Sequence, residues 1–395
     1  MNIYADNAAT TKMSEAAIKA MTDCMNEYYG NPSSLYRIGQ AAKEKLEEAR
    51  FEIAKQINAE PREIIFTSGG SEADNQAIVS AAMIGRKKGK THIISSAFEH
   101  HAVLHTLKKL EKDGFRVTLL PVHENGIVRT DELEAAIDDE TCLVTIMAAN
   151  NEIGTIQPIS GIGELCRKRG VIFHTDAVQA VGHIGIDVKA QNIDMLSCSA
   201  HKFHGPKGIG FLYCRKGIAL TNIIEGGAQE RGKRAGTENL PAILGMTAAL
   251  REATDNMDKH NAHKAAVRDH LIAGLSEIPH CALNGDAEKR LSGNVNFCFE
   301  GIEGESLLIL LDMRGISASS GSACTSGSLD PSHVLLAIGR IHDVAHGSLR
   351  LSIGEDITME EADYIIRNTK EVVEYLRSFS PVWRDLITGK REFIL

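Results

Sequence analysis

One stretch of the sequence decides the fold: Ser197-Cys198-Ser199-Ala200-His201-Lys202-Phe203-His204-Gly205-Pro206-Lys207-Gly208. An apolar run typical of a buried strand precedes it (Ile193, Met195, Leu196), and a second apolar run follows it from Ile209 to Tyr213. A lysine at such a strand end can be an amine held out of bulk water that forms a Schiff base with a carbonyl group. For a lone lysine the commoner role is a charged residue on a surface turn, because most charged side chains are exposed. The residues elsewhere in the chain decide between these two roles.

The bulk composition indicates a globular protein of about two domains. The chain has 395 residues, of which 43% are hydrophobic and 24% are charged, and a domain commonly contains about 100 to 200 residues. A net charge of −9 and a pI near 6.0 argue against nucleic-acid binding, which needs a basic face. No apolar run approaches the roughly 20 residues of a membrane span, and the N-terminus has no signal-peptide pattern. We therefore expect a cytoplasmic protein with no nucleic-acid or membrane partner.

The chain contains eight cysteines, and none belongs to a CxxC pair. Several, such as Cys142 and Cys298, lie in apolar strand-like runs, where cysteine acts as a small hydrophobic residue. Cys324 differs because serine, glycine and threonine surround it between Ser319 and Ser328. We expect reduced thiols rather than a disulfide framework, with Cys324 outside any regular buried element.

Strands and helices alternate along the first two thirds of the chain. The apolar runs predict seven strands, at residues 64–67, 91–95, 116–121, 142–147, 171–175, 195–197 and 209–214. Helical periodicity lies before and between them, at residues 14–28, 40–57, 102–112, 130–137 and 161–168. This order predicts an α/β fold with a seven-stranded, mostly parallel sheet covered by helices.

Polar clusters follow four of these strands: Glu99-His100-His101, Asn150 to Gly154, His174 to Gln179, and Ser199 to Lys202. Taken singly, the commoner roles are a buried hydrogen-bonded histidine, a turn asparagine and a helix-capping aspartate. Ligands in such sheets bind beyond the carboxyl ends of the strands. Together the clusters therefore predict one pocket at that edge of the sheet.

The first strand leads into a glycine turn, Ser68-Gly69-Gly70-Ser71, and then into a helix. Glycines let the backbone approach an anion, and the free N–H groups of the helix would hold a phosphate. The alternative is an ordinary turn in which Ser71 caps the helix.

The C-terminal third has a different pattern. Residues 241–278 are helical and rich in alanine and charge, and strand-like runs at Val295–Phe299 and Ser348–Ser352 flank a helix at 306–313. We predict a large domain of residues 12–255 and a smaller α+β domain of residues 1–11 and 256–395, which carries the loop 317–332.

A lysine, an aspartate, a histidine and a phosphate-binding turn are the groups that pyridoxal phosphate requires: an amine, a partner for the ring nitrogen, a flat side chain over the ring and phosphate ligands. The sequence also resembles the group I cysteine desulfurases of the NifS/IscS type, which are class V aminotransferases of fold type I. The motifs that carry this resemblance span nearly the whole chain: Asp6 to Thr11, Thr67 to Asn75, the four clusters above, Arg234 to Thr237, Ser319 to Ser328, and His346 to Arg350. One position departs from the family pattern, since Tyr36 lies where members commonly carry a histidine.

The resemblance implies specific roles. Lys202 would be the Schiff-base lysine, His100 an acid-base group stacked on the ring, and Cys324 the persulfide-forming nucleophile and a transient iron–sulfur ligand. Arg350 would bind the substrate carboxylate, with Asn151 beside it. The implied cofactor-binding residues are Gly70, Ser71, His100, Asn151, Asp176 at the ring nitrogen, Gln179 at the ring hydroxyl, Ser199, His201, Lys202, and Thr237 from a second subunit.

The implied reaction converts L-cysteine into L-alanine and leaves the sulfur on Cys324 for an iron–sulfur scaffold or another acceptor, in a homodimer that holds pyridoxal 5'-phosphate. Other enzymes of the same scaffold are alternatives, namely an aminotransferase, a selenocysteine lyase or a kynureninase-like hydrolase. Cys324 argues for the desulfurase, because transaminases need no loop thiol. A non-catalytic iron–sulfur carrier is the alternative from another class, and the lysine, aspartate and histidine argue against it.

Overall fold

The computed structural model describes residues 1–320 and 331–395. In this part of the chain the strands are β1 (Ile3–Tyr4), β2 (Ile64–Thr67), β3 (His92–Ser96), β4 (Arg116–Leu120), β5 (Thr141–Thr145), β6 (Ile172–Asp176), β7 (Met195–Ser199), β8 (Gly210–Cys214), β9 (Cys281–Leu283), β10 (Asn294–Phe299), β11 (Ile316–Ser317) and β12 (Ser348–Ser352). The helices are α1 (Glu15–Glu27), α2 (Arg37–Gln56), α3 (Gly70–Lys87), α4 (His101–Lys112), α5 (Thr130–Ala136), α6 (Ile159–Arg169), α7 (Gln229–Gly232), α8 (Leu240–Asp255), α9 (Met257–Leu275), α10 (Gly304–Asp312), α11 (His333–Ala337), α12 (His342–Ala345), α13 (Met359–Phe379) and α14 (Pro381–Ile387).

The central sheet has seven strands in the order β2-β8-β7-β6-β5-β3-β4. Strand β8 runs antiparallel to both of its neighbours, and the remaining pairs are parallel. The prediction of a seven-stranded, mostly parallel sheet is therefore confirmed. Because these parallel strands share one direction, their carboxyl ends lie at a single edge.

Helices cover both faces of this sheet. Ile64 belongs to a core with α1, α2, α6 and α8, whereas the next residue, Ile65, belongs to a second core with α3 and α4. Val144 and Leu143 of β5 divide between the two cores in the same way. Successive side chains of a strand point to opposite faces, so the continuous apolar runs reflect burial on both sides.

A smaller sheet follows, with the antiparallel order β12-β10-β9. Its core joins Phe297 and Leu349 of the sheet to apolar residues of α9, α10 and α13. The pair β1 and β11 adds the N-terminus to this part of the molecule through the register Ile3 to Ile316. The division at residue 255 into two domains stays a prediction.

The region expected to be helical from 241 to 278 forms two helices rather than one. They meet at Asn256, whose backbone (φ −107°, ψ 7°) leaves the helical region. None of the helices in the described ranges is both long and apolar enough to cross a membrane.

Candidate active site

A cavity of about 470 Å³ lies at the carboxyl edge of the central sheet. Loops that follow β2, β3, β5, β6 and β7 each contribute to it, as does the N-terminal segment. Its lining residues are Asp6, Ala8, Ala9, Gly70, Ser71, Asp74, His100, Met147, Asn151, Asp176, Val178, Gln179, Ser199, His201, Lys202, Ser319 and Arg350. The structure thus brings the four polar clusters and the glycine turn to one place.

Lys202 ends the 3₁₀ turn Ala200–Lys202, which follows β7 directly. Its Nζ donates hydrogen bonds to the carbonyl oxygens of Ala8 at 2.6 Å and of Ala9 at 2.8 Å. Its own carbonyl oxygen accepts a bond from His183 Nε2 at 2.8 Å. Burial lowers the pKa of His183 to about 3, so that imidazole is neutral at pH 7. It stabilises the turn by donating its Nε2–H to the Lys202 carbonyl oxygen.

Asp176 is the last residue of β6 and is 5% exposed. One carboxylate oxygen accepts a hydrogen bond from the backbone N–H of Val178 at 2.9 Å. Burial raises the pKa of Asp176, and the charges of His100 and Lys202 oppose that rise. Asp176, His100 and Lys202 all line this cavity.

Helix α3 begins at Gly70 without a side-chain cap, since its N-cap residue is Gly69. Ser71 lies inside the first turn, so the alternative in which Ser71 serves as the cap is wrong. A Cβ atom on Gly70 would lie 2.5 Å from Val178 Cγ2, which explains the glycine there. The first N–H groups of a helix have no partner within the helix, and Gly70 and Ser71 line the cavity, so this helix start is suited to an anion.

Ser199 lies beside this turn, and His201 lines the same cavity. His201 Nδ1 lies 3.2 Å from the hydroxyl of Thr10. Burial, with added repulsion from Lys202 and Lys207, lowers the pKa of His201 to about 4. His201 is therefore neutral at pH 7 and serves in hydrogen bonding rather than as a charge.

His100 caps the N-terminus of α4. Its Nδ1 accepts a hydrogen bond from the backbone N–H of Ala102 at 3.1 Å. In the neutral ring this bond places the proton on Nε2. Gln179 also lines the cavity, and its Nε2 donates to the carbonyl oxygen of Ala8 at 3.0 Å.

Arg350, on β12, is a second basic side chain that lines the cavity, and it is 3% exposed. Its Nη2 donates to Asp6 Oδ1 at 2.7 Å, and its Nη1 donates to the carbonyl oxygen of Asn151 at 3.2 Å. Its Nε is buried and has no hydrogen-bond partner among residues 1–320 and 331–395. A buried guanidinium with an unused donor is suited to a ligand carboxylate.

Two predicted site residues do not belong to the cavity lining of the described chain. Thr237 is exposed and outside it. Cys324, predicted as the nucleophile and as a transient iron–sulfur ligand, lies outside the described residues. The flanking Ser319 pairs with the backbone of Arg350, and Ser332 bonds to the Glu152 carboxyl group.

The other seven cysteines are free thiols, and six of them are buried. Within residues 1–320 and 331–395, no three or more His, Cys, Asp and Glu side chains are grouped to hold a metal ion.

Sequence reasoning missed three parts of the cavity: Asp6, Asp74 and the carbonyl groups of Ala8 and Ala9. Both aspartates lie in quoted motifs but carried no assigned role. The signal that could have found them is that each carboxyl group lies in a segment rich in small and hydroxyl residues, at Asp6 to Thr11 and at Thr67 to Asn75. The two carbonyl groups left no signal, because a backbone oxygen has the same chemistry in every residue.

The family model for aminotransferase class V matches residues 3–365. The chain belongs to this family. The family prediction made from the sequence is thus confirmed, as is its fold.

Individual members of the aminotransferase class V family resemble the chain over most of its length. It is 52% identical over 393 residues to the cysteine desulfurase IscS of Clostridium botulinum strain Hall, and the match covers 99% of each chain. A solved structure described as a NifS-like protein has a TM-score of 0.89 and 37% identity, covering 95% of this chain and all of the other. A structure of SspA in complex with cysteine has a TM-score of 0.79 and 36% identity, covering 89% and 99%.

Proposed function

We propose that this protein is a cysteine desulfurase that holds pyridoxal 5'-phosphate in the cavity described above. The observation that carries the proposal is the convergence of Lys202, Asp176, His100 and Arg350 with the uncapped start of α3 around one space of about 470 Å³. Relatives named cysteine desulfurase match the chain end to end at 52% identity, which favours this activity over the other reactions of the same scaffold.

The residues of the cavity fit this cofactor. The free N–H groups at Gly70 and Ser71 suit a phosphate dianion, with Ser199 and His201 beside them. Asp176 suits a protonated ring nitrogen, and Gln179 suits the ring hydroxyl. When bound, pyridoxal phosphate supplies an aldehyde for amines and a ring that delocalises the charge left by loss of the substrate α-proton.

Arg350 binds the substrate carboxylate and so fixes the orientation of cysteine. The unpartnered Nε and the Nη2 that now bonds Asp6 are the donors that this carboxylate uses. The Lys202 amine gives up its bonds to the Ala8 and Ala9 carbonyl groups and takes the α-proton. His100 Nε2 carries the proton of the neutral ring, and it donates a proton as the product forms.

Cys324 receives the sulfur. Its thiolate attacks the sulfur of the substrate, the substrate C–S bond breaks, and a proton replaces sulfur on the substrate carbon. The balance is L-cysteine plus a thiol giving L-alanine plus a persulfide, with no external oxidant. A segment dominated by serine and glycine suits a group that must meet both a buried substrate and an external acceptor.

The proposal also covers the sulfur acceptor, the oligomeric state and the cellular location. The persulfide sulfur goes to an iron–sulfur scaffold protein, and the enzyme is a homodimer in which Thr237, exposed in the single chain, meets the phosphate of the partner. Free cysteine thiols, most of them buried, suit a cytoplasmic protein.

The test is to incubate the purified protein with L-cysteine and a reductant and to measure sulfide and alanine. Equal amounts of both are expected from the wild type, and none from Cys324→Ala. Cys281→Ala is the matched control, because Cys281 is the half-buried thiol whose Sγ lies 3.5 Å from the Leu275 carbonyl oxygen, away from the cavity. Desulfuration by Cys324→Ala at the wild-type rate would overturn the proposal.

A further inference from the structure

Asp74 is a second carboxyl group in the cavity. It lies on α3, one helical turn after Gly70, and it is 1% exposed. Residues four apart share a helix face, so its carboxyl group faces the sheet below the anion site. Its Oδ1 atom is buried and has no hydrogen-bond partner in the part of the chain that the structure describes.

The nearest basic group cannot neutralise Asp74. His174 Nε2 lies 3.7 Å from Asp74 Oδ1, beyond hydrogen-bond distance. The two ring nitrogens of His174 already contact hydroxyl groups, Ser197 Oγ at 2.9 Å and Thr145 Oγ1 at 2.8 Å. Burial lowers the pKa of His174 to about 3, so this ring carries no charge at pH 7.

The other described groups that act directly on the Asp74 carboxyl group are hydroxyl or acidic. The Ser197 hydroxyl interacts with its carboxyl group, and Asp176 acts on it as a like charge. Glu99 does so only when ionised, because burial raises the pKa of Glu99 to about 8. In the described ranges, no lysine or arginine forms an ion pair with Asp74. A buried carboxylate without a cation is costly, and it takes up a proton instead.

Asp176 and Glu99 differ from Asp74 in their contacts. Asp176 accepts the Val178 N–H and faces His100 and Lys202. Glu99 accepts the Met147 N–H with both oxygens, at 3.0 and 3.1 Å, outside the cavity lining. Of the two neighbouring aspartates, Asp176 is therefore the better place for a negative charge.

We propose that Asp74 is a neutral carboxylic acid and a positioning residue, which keeps a second negative charge away from Asp176 and from the anion at the start of α3. Its protonation follows from its surroundings in this chain alone, whereas its effect on pyridoxal phosphate rests on the proposed function. With Asp74 neutral, Asp176 is the charged carboxylate that interacts with the ring nitrogen, and Asp74 does not repel the phosphate at the start of α3.

Infrared difference spectroscopy of the cofactor-loaded protein at pH 7 tests the protonation. Subtracting the Asp74→Asn spectrum from the wild type should isolate the C=O stretching band of a protonated carboxyl group. Asp138→Asn is the control, because Asp138 is an accessible carboxylate paired with Arg116, and it should remove only carboxylate bands. A carboxylate band lost from Asp74→Asn, with the acid band unchanged, would overturn the proposal.

Equilibrium dialysis against pyridoxal phosphate tests the positioning role. Asp74→Asn exchanges one neutral group for another of the same shape, so its Kd should stay within about threefold of the wild type. Asp176→Asn removes a charge and should weaken binding by about tenfold or more. Equal losses in the two variants would refute the role of Asp74. If the wild type bound no cofactor at all, the proposed function would fail, yet the infrared result on Asp74 would stand.

Discussion

Replacing Arg350 by lysine should raise the KM for cysteine and leave the bound cofactor unchanged. The lysine keeps the positive charge but loses the planar fork that can hold a carboxylate through two parallel bonds. Arg350 is almost fully buried between Asp6 and Asn151, so water cannot replace the lost donor.

The size of the effect follows from the number of bonds lost. A hydrogen bond that involves a charged group contributes ~1.5–3 kcal/mol. Losing one of the two bonds to the substrate carboxylate therefore weakens cysteine binding about ten- to hundredfold, at 1.36 kcal/mol per tenfold change. The rate at saturating cysteine should change much less, because the carboxylate contact is made equally in the bound and reacting states.

The assay is the initial rate of alanine formation at increasing cysteine concentration, with the absorbance of the lysine-bound cofactor as a check on the site. Arg340→Lys is the matched control: Arg340 donates through Nε to Asn284 and through Nη2 to Leu283, outside the cavity. A KM within about threefold of the wild type for Arg350→Lys, or an equal rise in both variants, would refute the assignment of Arg350.

Three further predictions concern the anion site, the dimer and pH. Gly70→Ala places a Cβ 2.5 Å from a valine methyl group, so it should cost ~1–3 kcal/mol and weaken cofactor binding in dialysis, whereas Gly185→Ala, which meets no atom within 4 Å, should not. Thr237→Ala should release cofactor faster on gel filtration, and a monomer that retains cofactor and turns over would contradict the shared site. Although burial opposes both shifts, the His204–Glu355 ion pair lowers the pKa of Glu355 to about 2 and raises that of His204. The stabilisation by this ion pair is thus complete between about pH 4.3 and 6.5, and it is lost as the pH falls through the lowered pKa of Glu355 or rises through the raised pKa of His204. Glu355→Gln should therefore lower the free energy of unfolding most in that window, by ~1 kcal/mol or less. An equal loss at pH 9 would contradict this prediction.

The central sheet was predictable because its strands are buried on both faces. The predicted run at residues 142–147 and the observed strand Thr141–Thr145 differ by two residues at most at either end, since apolar continuity marks such strands directly. The break at Asn256 was not predictable, because helical periodicity continues across it and only the backbone of Asn256 leaves the helical conformation.

Some contacts of the candidate site were likewise predictable from the sequence, and others were not. Lys202 and Asp176 follow strands whose ends must meet, so their proximity could be inferred from topology alone. The contacts of Lys202 with Ala8 and Ala9 join residues 194 and 193 positions apart through backbone oxygens, which no side-chain pattern records. Asp6, similarly, reaches Arg350 across 344 positions.

The position of the N-terminal segment has a consequence for synthesis. Parts of the chain that lie far apart in sequence pair there: Ile3 with Ile316, and the Ala8 N–H with the Ser352 hydroxyl, 344 positions later, at 2.8 Å. The segment that holds the Lys202 amine therefore lacks these partners until the ribosome has passed Ser352. The large sheet can form earlier from contacts closer in sequence. The cavity proposed to hold the cofactor is thus complete only after these distant parts of the chain have met.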